Sequence, residues 1–523
     1  MANRFERSLA FSLEPGDCEK LIAQLGIAGA RWTAETKVLS LYLDTPESAI
    51  GKFGFAYGIR RRGDATLNDT QQALDRFMRG LPGEKGWTTF RHAMSAAAPP
   101  DARKLQSLLR AASTKQQLEV AFQSETKRSF WSLPVAGGHA GVVLEQGALA
   151  GVGSKRLARL TVTYAAAFAA PLFAFLAAAA KVVPLWMTGE SLALEAYRQL
   201  GRLDVPLPGA ITPRLTFDMS AATAFQTIAH ATIDHFLLAQ ARVRFLGDKE
   251  GVHQGRVALR RFSAAWRLFL PLVAGEDADV LKEDLQRLKS PLRAARDLDV
   301  LLSNLTKYSA ENPSLPVLPV RKLLEARREK AYAALVAALK APDTEALLLR
   351  LLAWVDAGEW TREAVRTKDR DELIGAFVQR KFSKLIQKFA RRSDELEEAS
   401  SKERHRTRIH AKNLRYDVEF LDNLVRIAGR KGLRKNQRAF VGALKRIQSF
   451  LGDENDVLMA HSYFVGLGRD EDTLAADEAA QAAGAAIAAH VRASGKRKFH
   501  KIVAKARRDL FEVKPFWFDL ARH

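Results

Sequence analysis

The chain has 523 residues, 47% of them hydrophobic, and a formal charge of +22 with a single cysteine, Cys18. That length implies more than one domain, and the apolar share is enough for packed cores. One cysteine excludes an internal disulfide framework and fits a reducing compartment, while the charge points to a polyanionic partner: nucleic acid, an anionic membrane or polyphosphate.

The first residues, MANRFERSLAF, lack the apolar core of a signal peptide. Strand-like patterns follow at Lys37–Leu43, Phe53–Arg61, Thr88–Met94, Glu119–Phe122, Gly141–Glu145 and Leu157–Tyr164. Helices fit Asp17–Leu25, Asp101–Ala112, Pro171–Ala180 and Gly189–Leu200. Consecutive short strands predict a mainly antiparallel sheet. The most apolar run, Tyr164–Ala180, is alanine-rich, contains Pro171 and falls short of the roughly 20 residues that cross a bilayer. It reads as a turn and a buried helix, so no membrane span is expected and the protein is placed in the cytoplasm.

Gly201–Thr216, GRLDVPLPGAITPRLT, holds three prolines and two glycines and no periodic pattern. It divides the chain into a mixed α/β part at 1–204, a linker at 205–216 and a helical part at 217–523, itself in halves of about 217–360 and 361–523. Helical periodicity covers 221–246, 252–270, 277–304, 318–341, 343–356, 370–393, 402–427, 433–465 and 472–513. The helical part carries most of the excess positive charge.

Within it, Gly251–Pro271 contains no acid. At about 100° per residue, His253, Arg256, Arg260 and Arg267 fall within a stripe about 60° wide. An ordinary surface helix mixes bases with acids in i,i+4 pairs; this stripe needs an anion from elsewhere. The pattern His253-x-x-Arg256-x-x-x-Arg260 recurs as His405-x-x-Arg408-x-x-x-Lys412, and Leu292-Arg293-x-x-Arg296-Asp297 answers to Leu451-Gly452-Asp453-x-Asn455-Asp456. Such self-similarity predicts a duplicated helical unit with basic stripes facing a shared groove. Further bases repeat at helical spacing: Lys282, Lys289, Arg293 and Arg296, with Pro291 expected to kink their helix; Arg434, Arg438 and Lys445; and Lys498, Lys501, Lys505 and Arg508. Asp297 and Asp456 read as holding neighbouring arginines or capping a turn; a metal role would need more acids, and only Asp299 and Asp453 stand near. Trp266 and Tyr416 read as core rather than as stacking platforms. The chain has no phosphate-loop spacing, no H-E-x-x-H and no nucleophile elbow.

HQGRVALRRF with RDLDVLL, HRTRIHAKNLRY with LGDENDVL, and the terminal KPFWF resemble the conserved-histidine α-helical domain, the CHAD family, over roughly 215–523. The resemblance implies two pseudo-twofold-related four-helix bundles around a basic channel for inorganic polyphosphate, with bacterial members at polyphosphate granules and their associated proteins. Two departures stand out: Arg293 takes the place that Gly452 has in the second half, and Ser263 stands where the family often has arginine. Stripes and resemblance together assign polyphosphate contacts to His253, Arg256, Arg260, Arg267, Lys289, Arg293, His405, Arg408, Lys412, Arg415, Arg438, Lys445, Lys498, Lys501 and Lys505.

The N-terminal part is similar to a CYTH domain, the triphosphate-tunnel fold, on LYLDTPESAIGKFGFAYGIRRRGD, EQGALAGV and SLALEAYRQLG. Active members begin with a Glu-x-Glu-x-Lys strand; here the match is Glu6-x-Ser8-x-Ala10. The later strand LARLTVTY also lacks a carboxylate. Tunnel hydrolysis needs acids to hold divalent metal and bases to hold phosphate. Arg60, Arg61 and Arg62 remain, the metal side does not, and a degenerate tunnel follows.

The expectation is therefore multidomain: an N-terminal α+β antiparallel, barrel-like domain, then an all-α domain of paired bundles. The protein is read as a non-catalytic polyphosphate binder with no cofactor, no metal and no specific nucleic acid. The alternatives are a metal-dependent tripolyphosphatase in 1–204 and, on charge alone, a nucleoid or RNA-binding protein.

Overall fold

The structure is a computed structural model and describes residues 6–78, 86–94, 106–111, 118–151, 155–199, 201, 209–311, 317–362, 367–394, 396, 399–467, 505 and 507–521. The chain packs as two compact units. One comprises residues 1–211, 233–255 and 340–362, the other residues 212–232, 256–339 and 363–523.

The first unit is built on one eight-stranded antiparallel sheet of β1 (Glu6–Ser12), β2 (Arg31–Asp44), β3 (Phe55–Arg62), β4 (Trp87–Ala93), β5 (Glu119–Val135), β6 (Gly138–Ala150), β7 (Lys155–Ala165) and β8 (Trp186–Thr188), in the order β4-β3-β2-β5-β6-β7-β1-β8. Its helices are α1 (Cys18–Ile27), α2 (Ala49–Lys52), α3 (Leu67–Met78), α4 (Ala169–Ala180) and α5 (Leu192–Gln199). The six expected strands are present and mostly longer than their alternating cores. Glu119–Phe122 is only the start of β5, whose continuation QSETKRSFWSLPV keeps an alternating burial pattern despite its charges. The short strand β8 and the amphipathic α3 were not foreseen as elements, and β1 was foreseen only through the tunnel resemblance at Glu6, Ser8 and Ala10. Of the expected 101–112 helix, residues 106–111 are described and helical.

Two stretches that carry the tunnel resemblance meet at Asp44. Its buried carboxylate accepts the N–H groups of Thr45, Ile50 and Gly51 at 2.7, 2.8 and 2.8 Å, and the Tyr197 hydroxyl of α5 at 2.6 Å. Four donors on one carboxylate hold the turn from β2 into α2. A Cβ at Gly51 would stand 3.0 Å from both Asp44 Oδ2 and the Tyr197 ring, a tight fit that a larger residue meets only if those side chains give way. The aromatic core beside it stacks Tyr42 on Phe122, ring centroids 4.2 Å apart, with Tyr197 edge-on at 5.1 Å.

The helical stretches of this unit are tied to the sheet by buried polar groups. Helix α4 packs on the 342–357 helix. The fully buried Asp356 accepts the Tyr164 hydroxyl at 2.8 Å and pairs with Arg7. Glu345 accepts the Met187 N–H at 3.0 Å and lies 3.5 Å from Arg244. Burial, only partly offset by these partners, pushes the Glu345 carboxyl up to about 7.

The remaining helices are α6 (Ala221–Leu246), α7 (Lys249–Leu268), α8 (Leu270–Val273), α9 (Glu276–Glu311), α10 (Val317–Lys340), α11 (Pro342–Ala357), α12 (Thr367–Asp371), α13 (Ile374–Asp394), α14 (Ser401–Phe420), α15 (Asp422–Ile427), α16 (Lys431–Leu467) and α17 (Phe516–Leu520). The 221–246 expectation coincides with α6. Helix α9 runs on through Pro291 as one element of 36 residues, longer at its C-terminal end than the expected 277–304. The expected 402–427 helix is interrupted at Leu421, where α14 ends and α15 begins. Most of 472–513 lies outside the described residues. In the second unit the core is aromatic, with Phe269 stacked on Phe377 at 4.8 Å and Phe440 edge-on to Phe516 at 6.0 Å. No described helix is long and apolar enough to cross a membrane.

Candidate anion site

The two copies of the basic motif lie on α7 and α14. Helix α14 starts at a capping box: Ser400 accepts the Glu403 N–H at 3.3 Å, and the Glu403 carboxylate accepts the Ser400 N–H at 2.8 Å. Helix α7 is joined to α14 by two ion pairs. Arg261 Nη1 lies 2.9 Å from Glu419 Oε2 with its side chain only 3% exposed, and its guanidinium sits 4.8 Å over the Phe420 ring. Arg267 Nη2 lies 2.8 Å from the fully buried Asp417. Trp266 and Tyr416 are buried, as expected of core residues.

Arg256 and Arg260 share one face of α7 with Ser263 and Arg267. Arg408, Lys412 and Arg415 share one face of α14 with His405. The two faces converge on Lys412. Burial first, then the charges of Arg260, Arg408, Arg256 and Arg415 in that order, push its amine down to about 7. Burial, with Arg260 the next cause, brings the Arg256 guanidinium down to about 10. Among the described residues, neither Arg260 nor Lys412 has an ion pair or side-chain hydrogen bond, and both are half-buried.

The other cations of this face are partnered. Asp297 of α9 lies 3.5 Å from Arg256 and 3.3 Å from Arg293, so it holds arginines as its position suggested. Arg415 lies 2.6 Å from Glu419 and donates to Gln448 of α16 at 2.9 Å. Lys289 donates to Ser263 Oγ at 2.8 Å, and burial with the nearby Lys282 lowers its amine. Ser263 thus receives a lysine from α9. Asp299 is committed elsewhere, accepting Arg328 and Tyr332 of α10 at 2.7 Å each.

Of the remaining assigned residues, His253 is half-buried on α7, and His405 is exposed in the first turns of α14. Arg438 and Lys445 are exposed on α16, and Lys505 is exposed and helical. Lys498 and Lys501 lie outside the described residues, as do the side chains of Asp453 and Asp456. Sequence reasoning did not find Glu419, Gln448 or His410. His410 meets Arg392 of α13, and burial plus the charges of Arg392, Arg267 and Lys388 push its imidazole down to about 4. The i,i+4 spacing of Arg415 and Glu419 was the available signal for the first.

In the first unit, β1 and β7 pair so that Ser8 faces Thr163, Ala10 faces Thr161 and Ser12 faces Arg159. On that strand Ser8 and Ala10 carry neither an acid nor a lysine. Glu145 of β6 accepts Thr126 at 2.8 Å and Arg128 at 2.9 Å, and Arg60 donates to Ser40 at 3.0 Å. No group of three or more His, Cys, Asp or Glu side chains that could hold a metal ion occurs among the described residues.

Residues 227–464 match the sequence model of the CHAD domain. A crystal structure of the CHAD domain from the plant Ricinus communis is similar at 26% identity and a TM-score of 0.49, covering 58% of this chain and 96% of that one. No curated protein matches the chain.

Proposed function

From the premise that residues 227–464 form a CHAD domain, we propose that the chain is a non-catalytic binder of inorganic polyphosphate. The convergence of Arg256, Arg260, Arg408, Lys412 and Arg415 carries this reading. Two of these cations have no carboxylate among the described residues, and clustered like charges at partial burial destabilise a fold unless an anion arrives. Arginine presents a forked donor and lysine a point charge, and both suit phosphates spaced along a flexible chain. The reading extends to paired helical bundles flanking this cluster, to a cytoplasmic protein at polyphosphate granules, and to a first unit whose tunnel no longer hydrolyses phosphate.

Titration of the purified chain with long-chain polyphosphate, with duplex DNA as competitor at equal phosphate, tests it. Saturable binding that DNA displaces poorly is expected. Arg260→Ala and Arg408→Ala should each weaken it about tenfold, the scale of one charge-assisted contact of roughly 1.5 kcal/mol. Preference for DNA, or release of phosphate from tripolyphosphate in magnesium or manganese, would overturn it.

A further inference from the structure

Lys412 and Arg260 are the cations of this cluster without a carboxylate among the described residues, and of the two Lys412 is the amine. Arg256 and Arg415 have carboxylates at 3.5 and 2.6 Å; Lys412 has neither an ion pair nor a side-chain hydrogen bond among the described residues. Arg408 stands one turn before it on α14 and Arg415 one turn after, and Arg256 and Arg260 oppose it from α7. It is also the one member of this cluster that titrates by losing a proton in the neutral range, because guanidinium stays charged. The cheapest relief for an amine set among four guanidiniums is to be neutral, and a polyanion removes the reason for that neutrality.

We infer that Lys412, an unpaired amine facing guanidiniums from two helices, makes polyanion capture proton-coupled: the site takes up protons from solvent as the anion arrives. This inference rests on the polyphosphate reading above and adds its regulation. An ammonium flanked by phosphates is favoured over the amine, so the bound state holds the proton more tightly than the free state. With the free amine near 7, the affinity contributed by Lys412 is complete below pH 7. It falls as pH rises above 7, by up to about tenfold per pH unit, until the amine of the complex itself titrates. Polyphosphate is therefore held more tightly in neutral or slightly acid surroundings than in alkaline ones.

His253 and His405 lie on the same stripes and are common to the wild type and the Lys412 variants, so the comparison between these chains isolates Lys412; the charges of the neighbouring elements are otherwise committed. On α14 itself Glu419 is committed to Arg261 and Arg415. From α9, Asp297 sits between Arg256 and Arg293, with Arg296 adding a further positive charge to Arg256. From α13, Arg392 and Lys388 act on His410, whose imidazole is already neutral well above pH 4. From α16, Gln448 is uncharged, and Arg434, Arg438 and Lys445 are exposed. Asp417 also titrates near 7, but its partner is Arg267, and it is unchanged by substitution at 412.

The test is calorimetry of the full chain with long-chain polyphosphate at pH 6.5 to 8.5, repeated in buffers of different ionisation heat so that proton uptake is read directly. Long chains are used because few of their phosphates are terminal and titrate in this range. The wild type should take up close to one proton at pH 8.5 and lose roughly tenfold in affinity between pH 7 and 8.5. Lys412→Arg, always charged, should show neither effect. Lys412→Met, never charged, should bind more weakly than wild type, by a margin that narrows roughly tenfold between pH 7 and 8.5. Both variants are checked by circular dichroism, and either alone decides the question if the other does not fold. A wild type with flat affinity and no uptake, or a Lys412→Arg chain with the wild-type slope, overturns the proton coupling and leaves polyphosphate binding standing. Absence of binding at every pH overturns both.

Discussion

Arg267 belongs to the basic stripe of α7, yet its guanidinium is claimed by Asp417 at 2.8 Å. Asp417 is the more constrained partner, with its side chain 1% exposed and one oxygen without a hydrogen bond. Burial pushes its carboxyl up to about 7, although Arg267 opposes the shift. Because the folded value lies above the unfolded one near 4, the folded state binds the extra proton between those values. The contribution of this group to stability is therefore greatest below pH 4 and declines as pH rises to 7. Urea unfolding from pH 4.5 to 7.5 should show that decline, and Asp417→Asn should flatten it. Arg267→Ala leaves a buried carboxylate alone and should cost about 3 kcal/mol, the low end for a broken buried pair, because Arg267 is itself 35% exposed. A loss below ~1 kcal/mol would show that Asp417 does not depend on Arg267.

Among the elements, the helices were the most legible part of the sequence. Apolar spacing and proline or glycine breaks fixed α6, α10 and α11 to within a few residues, since a helix declares its buried face every turn. Strands declare less. β5 runs 17 residues with Lys127 and Arg128 in its middle, and those charges hid an element whose partners β2 and β6 supply the pattern. The motif repeat put the α7 cations on one face of their helix and the α14 cations on one face of theirs, because i,i+3,i+4 spacing follows from backbone geometry alone. Which of them meet carboxylates was not legible: Asp297 and Asp417 lie far from Arg256 and Arg267 in sequence. Docking of the terminal α17 on α13 was also hidden, although KPFWF was noticed. Gly375 permits the close approach: an added Cβ there would stand 2.3 Å from the Leu520 carbonyl oxygen. Gly375→Ala must push α17 away from α13 and should destabilise the second unit by about 1–3 kcal/mol. Thermal unfolding that matches the wild type would mean the two helices can separate without loss.

At the scale of the whole molecule, sequence and packing divide the chain differently. The linker at 205–216 separates a β-rich stretch from a helical one, while packing groups residues 233–255 and 340–362 with the sheet. Periodicity cannot reveal this, because a helix buried on a sheet shows the same spacing as one buried on another helix. The consequence lies in what the sheet loses without those stretches. Leu172, Phe173 and Leu176 of α4 are buried, and α4 packs on α11, whose Leu348, Leu351, Leu352 and Val355 are likewise buried. Arg7 and the Tyr164 hydroxyl would lose Asp356, and the Met187 N–H would lose Glu345. Exposing several large apolar side chains at roughly 1.5–3 kcal/mol each is comparable with the whole stability of a domain. A fragment ending at residue 204 should therefore bind a hydrophobic dye and melt without a sharp transition. In the full chain, Asp356→Ala removes the carboxylate shared by Arg7 and the Tyr164 hydroxyl and should cost about 3 kcal/mol. A cooperative melt of the 1–204 fragment, without dye binding, would show that the sheet folds alone and that the helical stretches only lie upon it.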